Sequence, residues 1–338
     1  MQVQKRGIRF WLFRGLLAAT VLFFAATLFG LGYQWSSTRA DAARYPPPGR
    51  MVDVGGFELH VYCTGQGSPT VILDALFPGT VSNWAWVQPE LAKSTRVCAY
   101  DRAGLGWSDS GPEPRDALRH AQELHALLQN ADIDGPYVLV GHSLGGLFSR
   151  MFADQYPNEV AGMALVEATN PDTWVRRGLP EGVGVDSSQL AIGSFLSRFG
   201  LFRAGIIPAY GSDPDLPPQQ RQELQAFFDS TKSMETIRSM DASFAVALDQ
   251  VRKARDLDDR PLATILGAQG DGGADELKPL FEEQAALSSN SISVMVEGAT
   301  HAGLVDNQTA AAETTRVILR VVEAVRSGRP LNSPQALP

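Results

Sequence analysis

Tyr137-Val138-Leu139-Val140-Gly141-His142-Ser143-Leu144-Gly145 is the stretch on which the reading turns. Four apolar residues that suit a buried strand run into a G-x-S-x-G pentapeptide, and the helical pattern Leu147 to Tyr156 follows. A turn this tight forces its central serine into a strained backbone conformation, and the flanking glycines remove the Cβ atoms that would collide there. Ser143 Oγ is thereby expected to stand clear at the top of a sheet, as in a nucleophile elbow. Gly146 adds a second small residue for close packing of helix on strand. The pentapeptide alone is a common glycine-rich turn; the strand before it and the helix after it give it weight.

Outward from this turn, strand and helix patterns alternate from about Met51 to about Arg326. Met51–Val54 and Phe57–Cys63 alternate apolar with polar residues around Gly55-Gly56, which predicts an antiparallel hairpin. Thr70–Leu73, Val97–Tyr100, Val138–Val140, Val160–Val166, Leu262–Leu266 and Ile292–Val296 are short apolar runs suited to buried strands. Ala117–Gln129 and about Ala310 to Arg326 carry helical periodicity.

This order of elements resembles the α/β-hydrolase fold, over roughly residues 51–327. Four segments carry the resemblance: Tyr100-Asp101-Arg102-Ala103-Gly104-Leu105-Gly106-Trp107-Ser108-Asp109, the elbow Gly141 to Gly146, the acid loop Gly267 to Gly272, and Gly298-Ala299-Thr300-His301. The resemblance implies a mostly parallel eight-stranded sheet flanked by helices. It also implies a helical cap inserted between strands 6 and 7, at about 170–259, and a tail at 328–338.

A serine hydroxyl is a poor nucleophile at neutral pH and needs a base, itself oriented by a third group. The family order of serine, acid and histidine implies His301 as the base, after the Val294-Met295-Val296 strand. His60 lies on an N-terminal strand, His120 and His125 on a helix that looks exposed, and His142 at the variable position of the elbow. Two carboxylates compete for the third role. Asp271 follows the seventh strand, the usual family position and the preferred reading; Glu167 ends the sixth. The oxyanion would be held by the backbone N–H of Leu144 and a second from Asp74-Ala75-Leu76-Phe77-Pro78-Gly79, with Phe77 preferred to Leu76 and Pro78 excluded for want of an N–H. Family members often carry a His-Gly or Gly pair in that segment, and this chain has Ala75-Leu76 instead. Asp101, Arg102, Gly104 and Gly106 read as scaffold, the charged pair tying its loop near the sheet top; a substrate contact for Arg102 is the alternative. In the family's sheet the second and fourth strands are antiparallel neighbours, which implies a Cys63–Cys98 disulfide, with two buried thiols as the alternative.

Gly15 to Trp35 is 21 residues with no ionisable group but Tyr33, preceded by Lys5, Arg6, Arg9 and Arg14. At about 1.5 Å per residue it can span a hydrocarbon core of roughly 30 Å. The basic flank is expected to stay cytoplasmic, with the catalytic domain extracytoplasmic. The alternative, a cleaved signal and a secreted product, rests on Ala40-Asp41-Ala42; the apolar run is longer than a secretory one of 7 to 15 residues. Residues 1–44 are thus read as basic flank, transmembrane anchor and start of linker, and 45–50 as a proline-rich spacer.

The chain carries −8 overall, but residues 1–44 hold six basic side chains against Asp41 alone, leaving 23 basic and 36 acidic elsewhere, or −13. Such a domain repels polyphosphate, which argues against a nucleic-acid partner. The expected activity is serine hydrolysis of a small-molecule carboxylic ester or thioester, lipophilic given the apolar cap runs Leu190–Leu196 and Phe199–Pro208. No cofactor and no metal is expected. Acyl transfer by the same residues, or a catalytically silent binding module on the same fold, are the alternatives. Oligomeric state is not legible.

Overall fold

The computed structural model describes residues 2–182, 186–208, 214–269 and 274–331. Asp271 and most of the tail lie outside them. Eight strands, β1 (Arg50–Asp53), β2 (Glu58–Thr64), β3 (Thr70–Asp74), β4 (Val97–Tyr100), β5 (Tyr137–His142), β6 (Val160–Val166), β7 (Leu262–Gly267) and β8 (Ser291–Val296), form one sheet in the order β1-β2-β4-β3-β5-β6-β7-β8. β2 is antiparallel to β1 and β4, and every later pairing is parallel.

The helices are α1 (Gln2–Arg44), α2 (Gln88–Leu91), α3 (Ala117–Asn130), α4 (Leu144–Gln155), α5 (Thr173–Arg176), α6 (Ser187–Ser197), α7 (Pro218–Phe228), α8 (Thr231–Arg252), α9 (Ala274–Ala285), α10 (Gly303–Asp306) and α11 (Gln308–Ser327). Both faces of the sheet are covered. One packs on Leu124 and Leu127 of α3, Phe152 of α4 and Phe244 of α8; the other packs on Leu91 of α2 and Val317, Ile318 and Val321 of α11. Strands buried on both faces carry near-continuous apolar runs, which is why β3 to β6 read so plainly.

Helices α5 to α8 lie between β6 and β7. α8 is not a detached lid, because Met240, Phe244, Leu248 and Val251 belong to the main core. Its pairing with α3 and α4 corrects one expectation: His120 is buried, stacked on Phe148 with ring centroids 4.1 Å apart. Burial and the neighbouring Arg115 and Arg102 charges hold the His120 pKa well below the ordinary imidazole value, so it is neutral.

Cys63 pairs with Cys98 across β2 and β4, and a disulfide joins them. The antiparallel register brings the two Cβ atoms together where an S–S bond can close.

At about 1.5 Å per residue the 43 residues of α1 extend about 65 Å, twice a hydrocarbon core. The helix is long and apolar enough to cross a membrane, and its apolar side chains from Ile8 to Phe29 are exposed. Its C-terminal part docks on the cap. Gln34 Nε2 donates to the Asp229 carbonyl at 2.9 Å, and Arg203 pairs with Asp41 at 2.5 Å. The following segment is also pinned: Trp107 Nε1 donates to the Tyr45 carbonyl at 2.8 Å, and the Gly49 amide to His60 Nε2 at 3.2 Å.

Candidate active site

The elbow forms where β5 ends and α4 begins. Ser143 has φ 54° and ψ −120°, a conformation costly for a residue with a Cβ and held by the strands around it. Its amide donates to the Val166 carbonyl at 3.0 Å, and its carbonyl accepts from Gly146 and Thr169 at 3.0 and 2.9 Å. Glycine at 145 is needed for close approach: a Cβ there would lie 2.3 Å from the Asp74 carbonyl oxygen. That contact also seats the segment after β3 against the first turn of α4, beside the Leu144 amide. The first amides of a helix have no intrahelical acceptor and carry its positive dipole end.

His301 comes from the loop between β8 and α10. Its Nδ1–H donates to Glu167 Oε1 at 2.8 Å, while Glu167 Oε2 accepts from the Gly267 amide at 3.0 Å. Glu167 is 5% exposed and, like Ser143, has positive φ, 36°. The turn after β6 therefore aims the carboxylate across β7 toward the histidine loop. That loop is zipped to the end of β7 by bonds from Gln269 to Ala299 and from Ala268 to Val296. Asp271, the other acid candidate, lies outside the described residues. Among the described residues no hydrogen bond closes between Ser143 Oγ and His301 Nε2; such contacts are often long before substrate binds.

His142, set aside in the sequence as the variable elbow position, touches the histidine loop. Its Nε2–H donates to the His301 carbonyl at 3.0 Å, and the two rings lie 4.8 Å apart at 45°. Burial, with the His301 charge adding to it, holds the His142 pKa well below the ordinary value. A neutral ring with Nε2 protonated follows, which is the form this bond requires.

Arg102 and Asp101 serve different partners. Asp101 accepts from His60 Nδ1 at 2.9 Å and from the Val81 amide at 2.8 Å. Arg102, 2% exposed, pairs with Asp74 and donates to the Ala75 and Leu76 carbonyls at 2.6 and 2.7 Å. Leu76 and Phe77, the oxyanion candidates, thus sit on a loop clamped from below by a buried guanidinium. Burial raises the Asp74 pKa, opposed by Arg102 and by the Tyr100 hydroxyl at 2.8 Å. Arg102→Met is expected to lower stability by about 3–5 kcal/mol, because it strands a buried carboxylate and two carbonyls. Urea unfolding measures it, and an unchanged midpoint would remove the clamp from this account.

Comparisons with known proteins agree with the architecture. A family model described as alpha/beta hydrolase fold matches residues 71–181. Over 106 residues the chain is 40% identical to an uncharacterized vacuolar membrane protein of Saccharomyces cerevisiae, covering 29% of this chain and 16% of the relative. Over 143 residues it is 32% identical to a 2-hydroxy-6-oxo-2,4-heptadienoate hydrolase of Pseudomonas putida, covering 41% and 51%. The chain thus spans about a fifth or less of the fungal relatives it matches and about half of the bacterial one. The crystal structure of DBJA superposes with a TM-score of 0.63 at 18% identity, over 85% of this chain and 100% of that one, a likeness of fold alone. With the sheet order, the strand-turn-helix at Ser143 and the match of the family model across the central third of the chain in agreement, the chain has the α/β-hydrolase fold.

Proposed function

We propose that this chain is a membrane-tethered serine hydrolase acting on a lipophilic carboxylic ester or thioester. Ser143 Oγ attacks the acyl carbonyl while His301 Nε2 takes its proton. Glu167 holds Nδ1–H and balances the imidazolium that forms. The amides of Leu144 and of Phe77 or Leu76 receive the oxyanion. His301 then returns the proton to the leaving alcohol or thiol. Water, deprotonated by the same ring, attacks the acyl-enzyme, and the acid departs with Ser143 restored.

The observation that carries this reading is the pairing of a buried carboxylate with His301 Nδ1 at 2.8 Å, in the loop bonded to His142, the residue before an elbow serine at positive φ. A carboxylate on one ring nitrogen leaves the other free to act as base. Tethering is supported by the length and apolarity of α1. The Cys63–Cys98 disulfide favours an oxidising compartment for the catalytic domain, hence the side opposite the basic N-terminal flank.

An alkyl fluorophosphonate probe tests the assignment, with native protein and Ser143→Ala compared at matched folding. Labelling of the native chain alone is expected. Equal labelling of both would refute the nucleophile, and labelling of neither would leave the fold as a binding module. Product analysis with added alcohol separates water from an alcohol as the final acceptor.

A further inference from the structure

The cap carries apolar side chains that its own packing does not cover. In the apolar run Leu190–Leu196, Ile192 is 59% and Phe195 56% exposed, and Ile206 beyond α6 is 69% exposed. Phe195, Phe199 and Ile206 also line an apolar cavity of about 700 Å³ between α6, the segment after it, and α1, where Phe23, Gly30 and Tyr33 form the opposite wall. The approach is close: a Cβ on Gly30 would stand 2.8 Å from the Phe199 carbonyl oxygen.

Polarity changes sharply along this contact. From Gln34 onward α1 meets the cap through polar groups, in the Gln34–Asp229 bond and the Asp41–Arg203 ion pair. Below Gln34 the contact is apolar as far as Phe23. If Gly15–Trp35 fills the hydrocarbon core, Gly30 lies five residues inside its outer end, about 8 Å deep at 1.5 Å per residue. Phe199, packed on Gly30, shares that depth, which is the roughly 5–10 Å at which interfacial helices seat their apolar faces.

We propose that the exposed edge of the cap, Ile192, Phe195 and Ile206, lies in the outer leaflet beside α1, and that the groove between them holds an acyl chain of a bilayer lipid. The inference rests on α1 spanning the membrane as argued above. It deepens the substrate reading, since α6 and the segment after it, which wall the groove, also supply Leu190 and Phe202 to an apolar cluster with Met234 and Ile237 on which Phe77 of the oxyanion segment packs. Lipid esters would then reach the serine from the bilayer side. A water-filled groove would waste this apolar wall, whereas burying an Ile or Phe side chain in lipid is worth about 1.5–3 kcal/mol.

Full-length protein in phosphatidylcholine proteoliposomes tests this. The native cysteines are disulfide-bonded, so nitroxide labels report only introduced sites. Labels at Phe195→Cys and Ile206→Cys are expected to collide more with oxygen than with a water-soluble nickel chelate. A label at Asp249→Cys, near the far end of α8, should show the reverse. Phosphatidylcholine with a photoactivatable acyl chain should cross-link to segment 195–206, less so in Ala204→Trp, which fills the groove, and undiminished in Ser143→Ala. Nickel-dominated collisions at 195 and 206 would overturn the proposal, as would absence of cross-links on that segment. A label at Phe24→Cys distinguishes the causes: oxygen-dominated there, the cap alone is wrong; nickel-dominated, the membrane-spanning reading fails with it.

Discussion

Glu167→Gln is expected to lower kcat about 10⁴-fold while leaving the fold intact, and Asp271→Asn to leave kcat within a few-fold of the native value. The amide is nearly isosteric, so Gly267 N–H retains an acceptor and the turn after β6 need not move. What changes is charge and tautomer. A neutral amide cannot balance the imidazolium formed when Ser143 gives up its proton, and its NH2 group can invite the ring to present Nδ1 as an acceptor, which places the proton on Nε2 where the base is needed. Both defects act on the transition state, so KM should change little. Steady-state kinetics on p-nitrophenyl esters, with urea unfolding as a control for stability, measures the effect. A large loss in Asp271→Asn with a nearly native Glu167→Gln would return the acid to the loop after β7.

The family order favours the seventh strand for this carboxylate, and nothing in the local sequence speaks against it. Which of two strand ends reaches a histidine 134 residues away from one of them and 30 from the other depends on backbone direction at the strand tip. For Glu167 that direction comes from a positive φ that no residue pattern announces. The sheet was legible for the opposite reason: β3 to β6 are covered on both faces, and burial on both faces writes itself as an unbroken apolar run. The elbow was legible because close backbone approach admits only glycine at 145. The sequence marks Arg102 as scaffold but not its partner, because Asp74 lies 28 residues away and the two meet only when β3 and β4 pair. The apolar run of α1 ends at Trp35, yet the helix continues through polar turns to Arg44, where Asp41 pairs with Arg203 of the cap, a partner that no local pattern announces.

Ser143→Ala and His301→Ala are each expected to reduce kcat by about 10⁶-fold, and the double variant to be no worse than either alone. If Ser143 is the nucleophile, its removal leaves the imidazole no proton to take. If His301 is the base, its removal leaves a hydroxyl that at neutral pH is almost wholly protonated, and the acyl-enzyme can neither form nor be hydrolysed at a useful rate. Two residues that act on one proton share one free-energy loss, so the effects cannot add. A residual rate above water should survive in all three variants, since the Leu144 and Phe77 or Leu76 amides still receive developing charge. Pre-steady-state measurements on a fluorogenic ester in excess, where a burst reports the acyl-enzyme, check the claim directly. Losses that multiply in the double variant would mean that serine and histidine act in separate steps, and the shared proton transfer would have to be abandoned.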